Sequence, residues 1–212
     1  MDERGTVTAT VAEDGRVRRG DETRRAVLGR AVDLASVEGL DGVTIGRLAQ
    51  ELSISKSGLF AHFGSKEELQ LATIRAARAI FAQAVVVPAM SAPAGMARVR
   101  ALLEAWLGYS RGRQFPGGCF FSRATHEYAA RPGPVRDALV EVDREWLDLV
   151  ARTVEEARDL GEVGAGVDPR QVAYELDAYL DSANLRSLLG GDQAVYERAR
   201  AAIEARLDSV AA

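Results

Sequence analysis

The sequence predicts an all-α protein with a small N-terminal three-helix unit and a larger C-terminal helical domain. From Asp21 onward, apolar residues recur every three or four positions, which is the period of an amphipathic helix. Glycine and proline clusters separate these stretches, and no segment shows the strict alternation typical of a strand. We therefore expect a flexible tail at residues 1–20, a first domain at 21–68 and a second domain at 69–212.

Composition limits the possible classes of protein. The chain has 212 residues, a net charge of −4 and 47% hydrophobic residues, so one or two folded domains are expected. An acidic total excludes a histone-like basic protein, although a local basic surface is enough to bind nucleic acid. Residues 16–80 carry 11 basic and 8 acidic residues and form the net-positive part of the chain.

Cysteine and histidine are scarce. One cysteine, Cys119, cannot form an internal disulfide, and with His62 and His126 it makes a poor ligand set for structural zinc. We therefore expect no metal and no cofactor. The N-terminus lacks the apolar run of a signal peptide, and prolines interrupt the uncharged residues 79–97, which we interpret as a helix end plus linker. A soluble cytoplasmic protein without a membrane span is expected.

The first helix is predicted at about residues 22–37, because Val27, Ala31 and Leu34 fall on one face, and Gly39 suits a left-handed stop after it. The tail before it ends in three arginines, Arg16, Arg18 and Arg19. Two interpretations of these arginines stay open: a solvated tail, or a basic arm that enters a DNA minor groove.

Three capping residues predict the next helices. Thr44 can cap a second helix, in which apolar residues follow the i, i+3, i+4, i+7 pattern. Ser55 can cap a third helix that ends near Phe63, and Ser65 begins a capping box for a fourth helix reaching about residue 86. In the second domain, helices are expected at about 94–111, 120–130, from 135 onward, 168–189 and 192–209.

The second and third helices, joined by a tight turn, form a helix-turn-helix, whose second helix would lie in the DNA major groove. Capped helix N-termini offer free N–H groups and partial positive charge to phosphates. Small residues at Ser55, Ser57 and Gly58 would permit close approach to the duplex, and Lys56 adds a mobile charge.

Residues 44–69 resemble the DNA-binding domain of the TetR (tetracycline-repressor-like) family of bacterial transcription regulators. The matching residues are Thr44, Ile45, Leu48, Ala49, Leu52, Ile54, Ser55, Lys56, Leu59, Phe60, His62, Phe63, Ser65, Lys66, Glu67, Glu68 and Leu69. The resemblance covers residues 24–74, and the remaining chain matches the family in its all-helical layout. A GGCFF…EY…RPGPVR stretch in it resembles a subset of the family.

The resemblance implies roles for individual residues. The residues that would contact or approach phosphates are Thr44, Arg47, His62 and Lys66. The residues that would face the groove are Ser55, Lys56, Ser57 and Gly58. Two positions depart from the family pattern: Phe60 replaces a tyrosine, which loses a hydroxyl, and Gly58 replaces a threonine or serine. Phe60 can be interpreted as a packing residue or as a contact to the sugar backbone, and His62 and Lys66 can also be ordinary surface residues.

The second domain carries the candidate effector pocket. Its candidate residues are Trp106, Tyr109, Cys119, Phe120, Phe121, Tyr128 and Trp146. Each aromatic can also be ordinary core, whereas the family places its effector cavity among the helices of this domain. We interpret Cys119 as a buried inert thiol or, alternatively, a redox sensor, and His126 as a pocket or surface residue rather than a metal ligand.

The last two helices can bury Leu176 and Leu207 internally and still leave apolar residues over. The residues expected at a dimer interface are Ala178, Leu185 and Leu189. They fit the two-fold four-helix bundle by which the family dimerises.

These features indicate a ligand-responsive DNA-binding regulator, in the first instance a repressor that binds a palindromic operator as a homodimer and is released by a small molecule. The alternative is an architectural or partner-binding DNA-binding protein without an effector. A thiol enzyme built on Cys119 and His126 has the least support, because no third group orients the pair. In the second domain, no charged residue is singled out as an anchor that would select a class of effector.

Overall fold

The structure is a computed structural model that describes the backbone of residues 4–212 and the side chains of residues 20–212. The predicted all-α fold is confirmed: across these residues, extended pairing is limited to an isolated bridge between Val163 and Ala211. We call the first three helices the head. They are α1 (Arg4–Glu38), α2 (Ile45–Glu51) and α3 (Lys56–Phe63).

Helix α1 begins at Arg4, well before the start predicted near residue 22. No proline lies between these positions, so nothing in the sequence interrupts helical hydrogen bonding there. The side chains of the predicted basic arm, Arg16, Arg18 and Arg19, lie outside the described residues. The flexible tail at residues 1–20 stays a prediction.

The head has its own apolar core. Val27 and Ala31 of α1 are buried with Leu48 of α2 and with Leu59 and Phe63 of α3. Gly39 adopts φ +92° directly after α1, which confirms the predicted left-handed stop. The chain therefore reverses within a few residues and delivers α2 back onto α1.

We call the remaining helices the body. They are α4 (Lys66–Phe81), a π-helical segment (Ala82–Val86), α5 (Val87–Met90), α6 (Met96–Arg111), α7 (Phe120–Tyr128), α8 (Pro134–Asp159), α9 (Pro169–Gly190) and α10 (Ala194–Val210). Helix α4 packs against both α1 and α8, so it joins head and body. The predicted boundary after residue 68 lies within the first turn of this helix.

The helix that starts at Lys66 continues through Pro88 to Met90, so the predicted end at residue 86 was wrong. Proline lacks an N–H donor, and its ring crowds the preceding turn. The wider π-helical turn directly before Pro88 accommodates both effects. By length and composition alone, this stretch could cross a membrane. Its buried residues Leu69, Ile74 and Ala77 pack in the protein core, as those of a core helix do.

A buried polar network fixes the segment between α6 and α7. The Asn184 side-chain carbonyl accepts hydrogen bonds from Ser110 Oγ (3.0 Å) and from the Cys119 backbone N–H (2.9 Å). Gly118 adopts φ +82°, and a Cβ there would lie 2.3 Å from Asn184 Oδ1. This glycine lets the backbone approach Asn184 closely, and the contact sets the position from which α7 starts.

Candidate DNA-binding and effector sites

The helix-turn-helix is held by two side-chain caps. Thr44 Oγ1 accepts a hydrogen bond from the Arg47 backbone N–H (3.2 Å), and Ser55 Oγ accepts one from the Gly58 N–H (3.1 Å). Both predicted caps are confirmed. Ser53 adopts φ +53° in the turn between the helices. The N-terminus of α3 therefore points outward with a defined geometry.

The predicted groove-facing residues lie together at this end of α3. Ser55, Lys56 and Ser57 are exposed, and Gly58 is half-buried beside them. A Cβ at Gly58 would lie 3.0 Å from Ser55 Oγ, so the glycine leaves the capping hydroxyl uncrowded. The Cε and Nζ atoms of Lys56 lie over Gly46 of α2. The result is a surface of short polar side chains around one lysine.

Phe60 is 58% exposed, so its interpretation as a packing residue was wrong. Its neighbours Leu59 and Phe63 face inward instead, because one helical face covers the core. His62 is half-buried, and its carbonyl accepts a hydrogen bond from Arg24 Nη1 (2.6 Å). The Arg24 guanidinium also lies 4.6 Å from the centre of the Phe63 ring. Thus α3 is anchored to α1 while its outer face stays free.

The predicted phosphate contacts Arg47 and Lys66 form ion pairs within the chain. Arg47 pairs with Glu38 and, at 3.1 Å, with Glu51. Lys66 Nζ lies 2.6 Å from Asp41 Oδ1, and this hydrogen bond holds the pKa of Asp41 below its usual range. Because these pairs are solvent-exposed, they contribute little stability and can exchange partners readily.

Helix α7 connects the head to the body through Glu127. Its carboxylate accepts hydrogen bonds from the backbone N–H groups of Leu40 (2.6 Å) and Asp41 (3.1 Å), in the turn between α1 and α2. Gln70 of α4 donates to the Leu40 carbonyl (3.1 Å) and to the Tyr128 hydroxyl (2.9 Å). The turn that leads into the helix-turn-helix is therefore held by one end of α7.

A cavity of about 480 Å³ lies between α7, α8 and α9, and this is within the size range of small-molecule sites. Four aromatic side chains form its inner walls. They are Phe81, Trp106, Phe121 and Trp146. The Phe81 ring is edge-on to Phe121 (5.9 Å between centroids) and Trp146 (5.4 Å). Exposed residues from α9, including Tyr174 and Leu185, mark its mouth.

The structure places the seven predicted pocket residues in two groups. Those that line the cavity are Trp106, Cys119, Phe121 and Trp146. The other three, Tyr109, Phe120 and Tyr128, are buried in the packing around it. Tyr109 contacts the edge of Phe81 (5.3 Å), and Tyr128 belongs to the joint with the head. Both groups therefore surround the same region, but only the first contacts the empty space.

Three aspartates also line the cavity, which sequence analysis did not anticipate. Asp143 lies at the exposed rim, and Asp177 and Asp181 are half-buried. Trp146 Nε1 donates to Asp177 Oδ1 (2.8 Å), and Ser122 Oγ donates to Asp181. Burial raises the pKa of Asp177 to about 6, and the two neighbouring aspartates add to that shift. The structure therefore adds acidic side chains to the predicted aromatic lining.

Cys119 is 4% exposed, and burial raises the pKa of its thiol. A protonated, enclosed thiol is a poor nucleophile, which favours the inert interpretation over a sensor or an enzyme. His126 is exposed at the cavity rim and contacts the Ser122 carbonyl through Nδ1 (2.6 Å). Among the residues described, no group of three or more His, Cys, Asp or Glu is arranged to hold a metal ion.

Two family models match the chain. One, described as bacterial regulatory proteins of the tetR family, matches residues 27–73. The other, described as the tetracyclin repressor-like C-terminal domain, matches residues 95–203, which is over half of the chain. The chain belongs to the TetR family. It is therefore a DNA-binding transcription regulator with a ligand-binding C-terminal domain.

Solved structures of transcription regulators share the fold over nearly the whole chain. A regulator from Streptomyces coelicolor is 29% identical, with a TM-score of 0.74 over 91% of this chain and 96% of that one. One from Chloroflexus aurantiacus is 23% identical, with a TM-score of 0.85 over 92% and 98%. A protein from Saccharomonospora viridis, solved in complex with choline, is 21% identical, with a TM-score of 0.71 over 91% and 99%. No curated protein matches this sequence.

The residues expected at the TetR dimer interface lie on an exposed face of α9. Leu185 is 50% exposed, Leu189 is 79% exposed, and Ala178 is also exposed. Tyr174 extends the same face at 66% exposure. Leu176 and Leu207, expected to pack internally, are fully buried.

Sequence reasoning missed the cavity aspartates and Glu127. Acidic residues on amphipathic helices usually lie on the solvated face, so these residues resembled surface charges. One local signal was available: Asp143 precedes Trp146 by three positions, and Asp177 and Asp181 are four apart, so each pair shares a helix face. Which helices face each other across a cavity is a tertiary property that this spacing does not contain.

Proposed function

We propose that this TetR-family protein is a cytoplasmic repressor that binds a near-palindromic operator as a homodimer and is released by a small-molecule effector. Each subunit places α3 in a major groove, with Ser55, Lys56, Ser57 and Gly58 nearest the bases. The two half-sites then lie about 34–36 Å apart, or a multiple of that distance. Phe60 contacts the sugar backbone, and Thr44, Arg47, His62 and Lys66 contact phosphates.

The observation that carries the proposal is the position of α7. Ser122 and Thr125 of this helix line the cavity, whereas Glu127, two residues after Thr125, binds the backbone before α2. A molecule that displaces α7 therefore moves the support of the helix-turn-helix. A difference of about 1–3 kcal/mol between the two states changes operator affinity roughly 5–150-fold.

The fold of this family can hold a small molecule, as the Saccharomonospora viridis protein does with choline. In this chain, the α7–α9 cavity is the proposed effector site. Its aromatic walls supply apolar contact, and its open side lies toward α9. By linkage, operator DNA must weaken effector binding by the same factor by which the effector weakens operator binding.

The proposal is tested first by fluorescence anisotropy with the intergenic DNA beside the gene. We expect saturable binding of two protomers per site, at least ~10³ tighter than to scrambled DNA. If the protein binds the intergenic and the scrambled DNA equally and with a steep salt dependence, the measurement is repeated with sites selected from the whole genome. Equal binding to those sites as well would contradict a specific operator. It would favour the architectural alternative.

The dimer is tested by placing charges on the exposed face of α9. Leu185→Glu should convert the dimer to a monomer in sedimentation analysis, because a carboxylate would be buried in the apolar interface. Leu160→Glu is the matched control, since Leu160 is 59% exposed and directly follows α8 rather than lying on α9. A wild-type protein that sediments as a monomer would refute the homodimer.

A further inference from the structure

The α7–α9 cavity combines an aromatic interior with carboxylates that have no cationic partner. In the part of the chain that the structure describes, Asp143, Asp177 and Asp181 take part in no ion pair. The cavity also holds one arginine, Arg186, whose Nε donates to Ser182 Oγ (3.2 Å). The lining therefore carries three carboxylates and one guanidinium, which makes it net negative.

The aromatic rings lie next to these carboxylates. Trp146 donates its N–H to Asp177, so the indole and the carboxylate are fixed relative to each other (2.8 Å). Phe81 contacts the Trp146 ring edge-on, and Phe121 and Trp106 complete the wall. Aromatic faces attract cations, and Trp does so most strongly. The rings and the carboxylates therefore both favour a positively charged ligand.

The inner end of the cavity has different chemistry. Cys119 lines it, and the buried Tyr109 hydroxyl lies behind Cys119, outside the cavity lining. A ligand would therefore extend from the acidic mouth along the aromatic walls toward Cys119.

We infer that the effector of this protein is an organic cation, an amine or quaternary ammonium attached to an apolar, ring-sized body. The cationic group binds between Asp143, Asp177 and Asp181, and the apolar body packs on Phe81, Phe121 and Trp146. The carboxylates are not arranged to hold a metal ion together, which fits a diffuse organic charge better than a compact metal cation. This inference rests on the proposed effector role of the cavity.

The test compares three probes of similar shape and different charge. They are phenyltrimethylammonium (positive), tert-butylbenzene (neutral) and benzenesulfonate (negative). Both tryptophans of the chain, Trp106 and Trp146, line the cavity, so intrinsic fluorescence reports binding there directly. We expect the cation to bind at least about tenfold more tightly than the neutral probe, and the anion not at all.

Substitutions then assign the charge preference to the carboxylates. Asp177→Asn and Asp143→Asn should each weaken binding of the cation about tenfold and leave tert-butylbenzene unchanged. Asparagine keeps an acceptor for the Trp146 N–H, and helicity measured by circular dichroism checks folding. Asp137→Asn, at an exposed position of α8 outside the cavity, is the matched control and should change neither affinity. Asp181→Asn replaces any variant that does not fold.

Three outcomes would overturn the inference: no binding of the cation at 10 mM, equal or tighter binding of the neutral probe, or cation binding that both variants leave unchanged. These measurements use protein without DNA, so they are separate from the repressor proposal. A cation that binds through the aspartates but does not release operator DNA supports the cavity chemistry and contradicts effector control. If the neutral probe alone releases operator DNA, effector control is supported and the cation preference of the cavity is contradicted.

Discussion

The head and the cavity handle charge in opposite ways. Arg47 of the head and Lys66 at the start of α4 are both neutralised by exposed carboxylates of the same chain. In the cavity, Asp177 and Asp181 are half-buried and have no cationic partner among the residues described. Exposed pairs exchange partners at little cost, whereas partly desolvated charges gain from a ligand of opposite sign. The ion pairs near the helix-turn-helix can therefore exchange partners, and the carboxylates of the cavity can form an ion pair with a cationic ligand.

Gly117, between α6 and α7, lies directly against α1 of the head. A Cβ at Gly117 would lie 1.9 Å from the Ser36 carbonyl oxygen of α1, a backbone atom that cannot rotate away. We expect Gly117→Ala to lower the free energy of unfolding by about 1–3 kcal/mol in thermal or urea denaturation. The Gly117 N–H also donates to Ser36 Oγ (3.0 Å), so displacement would break this bond as well.

Gly108→Ala is the matched control, because a Cβ at Gly108 in α6 meets nothing within 4 Å. Alanine in a helix interior should leave stability unchanged or raise it by up to about 1 kcal/mol. Equal effects of the two substitutions would show that head and body do not depend on this contact.

The charge of the cavity should make cation binding depend on pH. Burial raises the pKa of Asp177 to about 6, so below this pH the carboxyl is neutral and attracts a cation less. We expect the affinity for phenyltrimethylammonium to fall about tenfold from pH 7 to pH 5, measured by tryptophan fluorescence. The other charged groups around it are Asp143, Asp181, His126 and Arg186.

Two variants identify the group responsible. Asp177→Asn should flatten the pH profile, whereas His126→Gln should leave its midpoint near 6. His126 lies at the exposed rim of the cavity, so this variant tests whether a rim side chain sets the profile. A profile that flattens with His126→Gln alone would assign the pH dependence to the rim rather than to Asp177.

Apart from the start of α1, the helix boundaries in and next to the head were predictable nearly residue by residue, because their determinants are local. Thr44, Ser55 and Ser65 cap helices that begin at the next residue, and Gly39 ends α1 with positive φ. Each signal lies within four residues of its effect. The cavity depends instead on how α7, α8 and α9 face one another. The aromatic residues could therefore be recognised as a group from the sequence, but the sequence did not show which of them line the cavity and which pack in the core.

The misjudged helix end shows the same limit. Pro88 is a strong local signal for a break, yet the helix continues to Met90 through a π-helical turn. Val85 and Ala89 are buried on either side of the proline, so tertiary packing favours a continuous helix over a local interruption.

The exposed cations around the helix-turn-helix should contribute to binding of all DNA alike. Lys66→Ala should weaken binding about fivefold to any sequence and reduce the slope of log K against log salt by about one. Arg78→Ala is the control, because Arg78 is also on α4 and ion-paired, but its partner is Glu145 of α8 (2.8 Å) rather than a residue next to the helix-turn-helix. Lys56→Ala or Ser57→Ala should instead change the preference among sequences. Uniform loss in both classes would contradict the assigned contacts.

The smallest expected effect concerns Phe60, which is 58% exposed on the face of α3 that would meet DNA. The family pattern has tyrosine here, and the missing hydroxyl removes one hydrogen bond to phosphate. Phe60→Tyr should therefore strengthen operator binding about two- to threefold, which corresponds to the lower part of the net value of a hydrogen bond. Phe60→Leu keeps an apolar contact without a hydroxyl and should bind no more tightly than wild type. Anisotropy titrations at fixed salt measure both, and a tyrosine variant with unchanged affinity would place residue 60 out of reach of the phosphates.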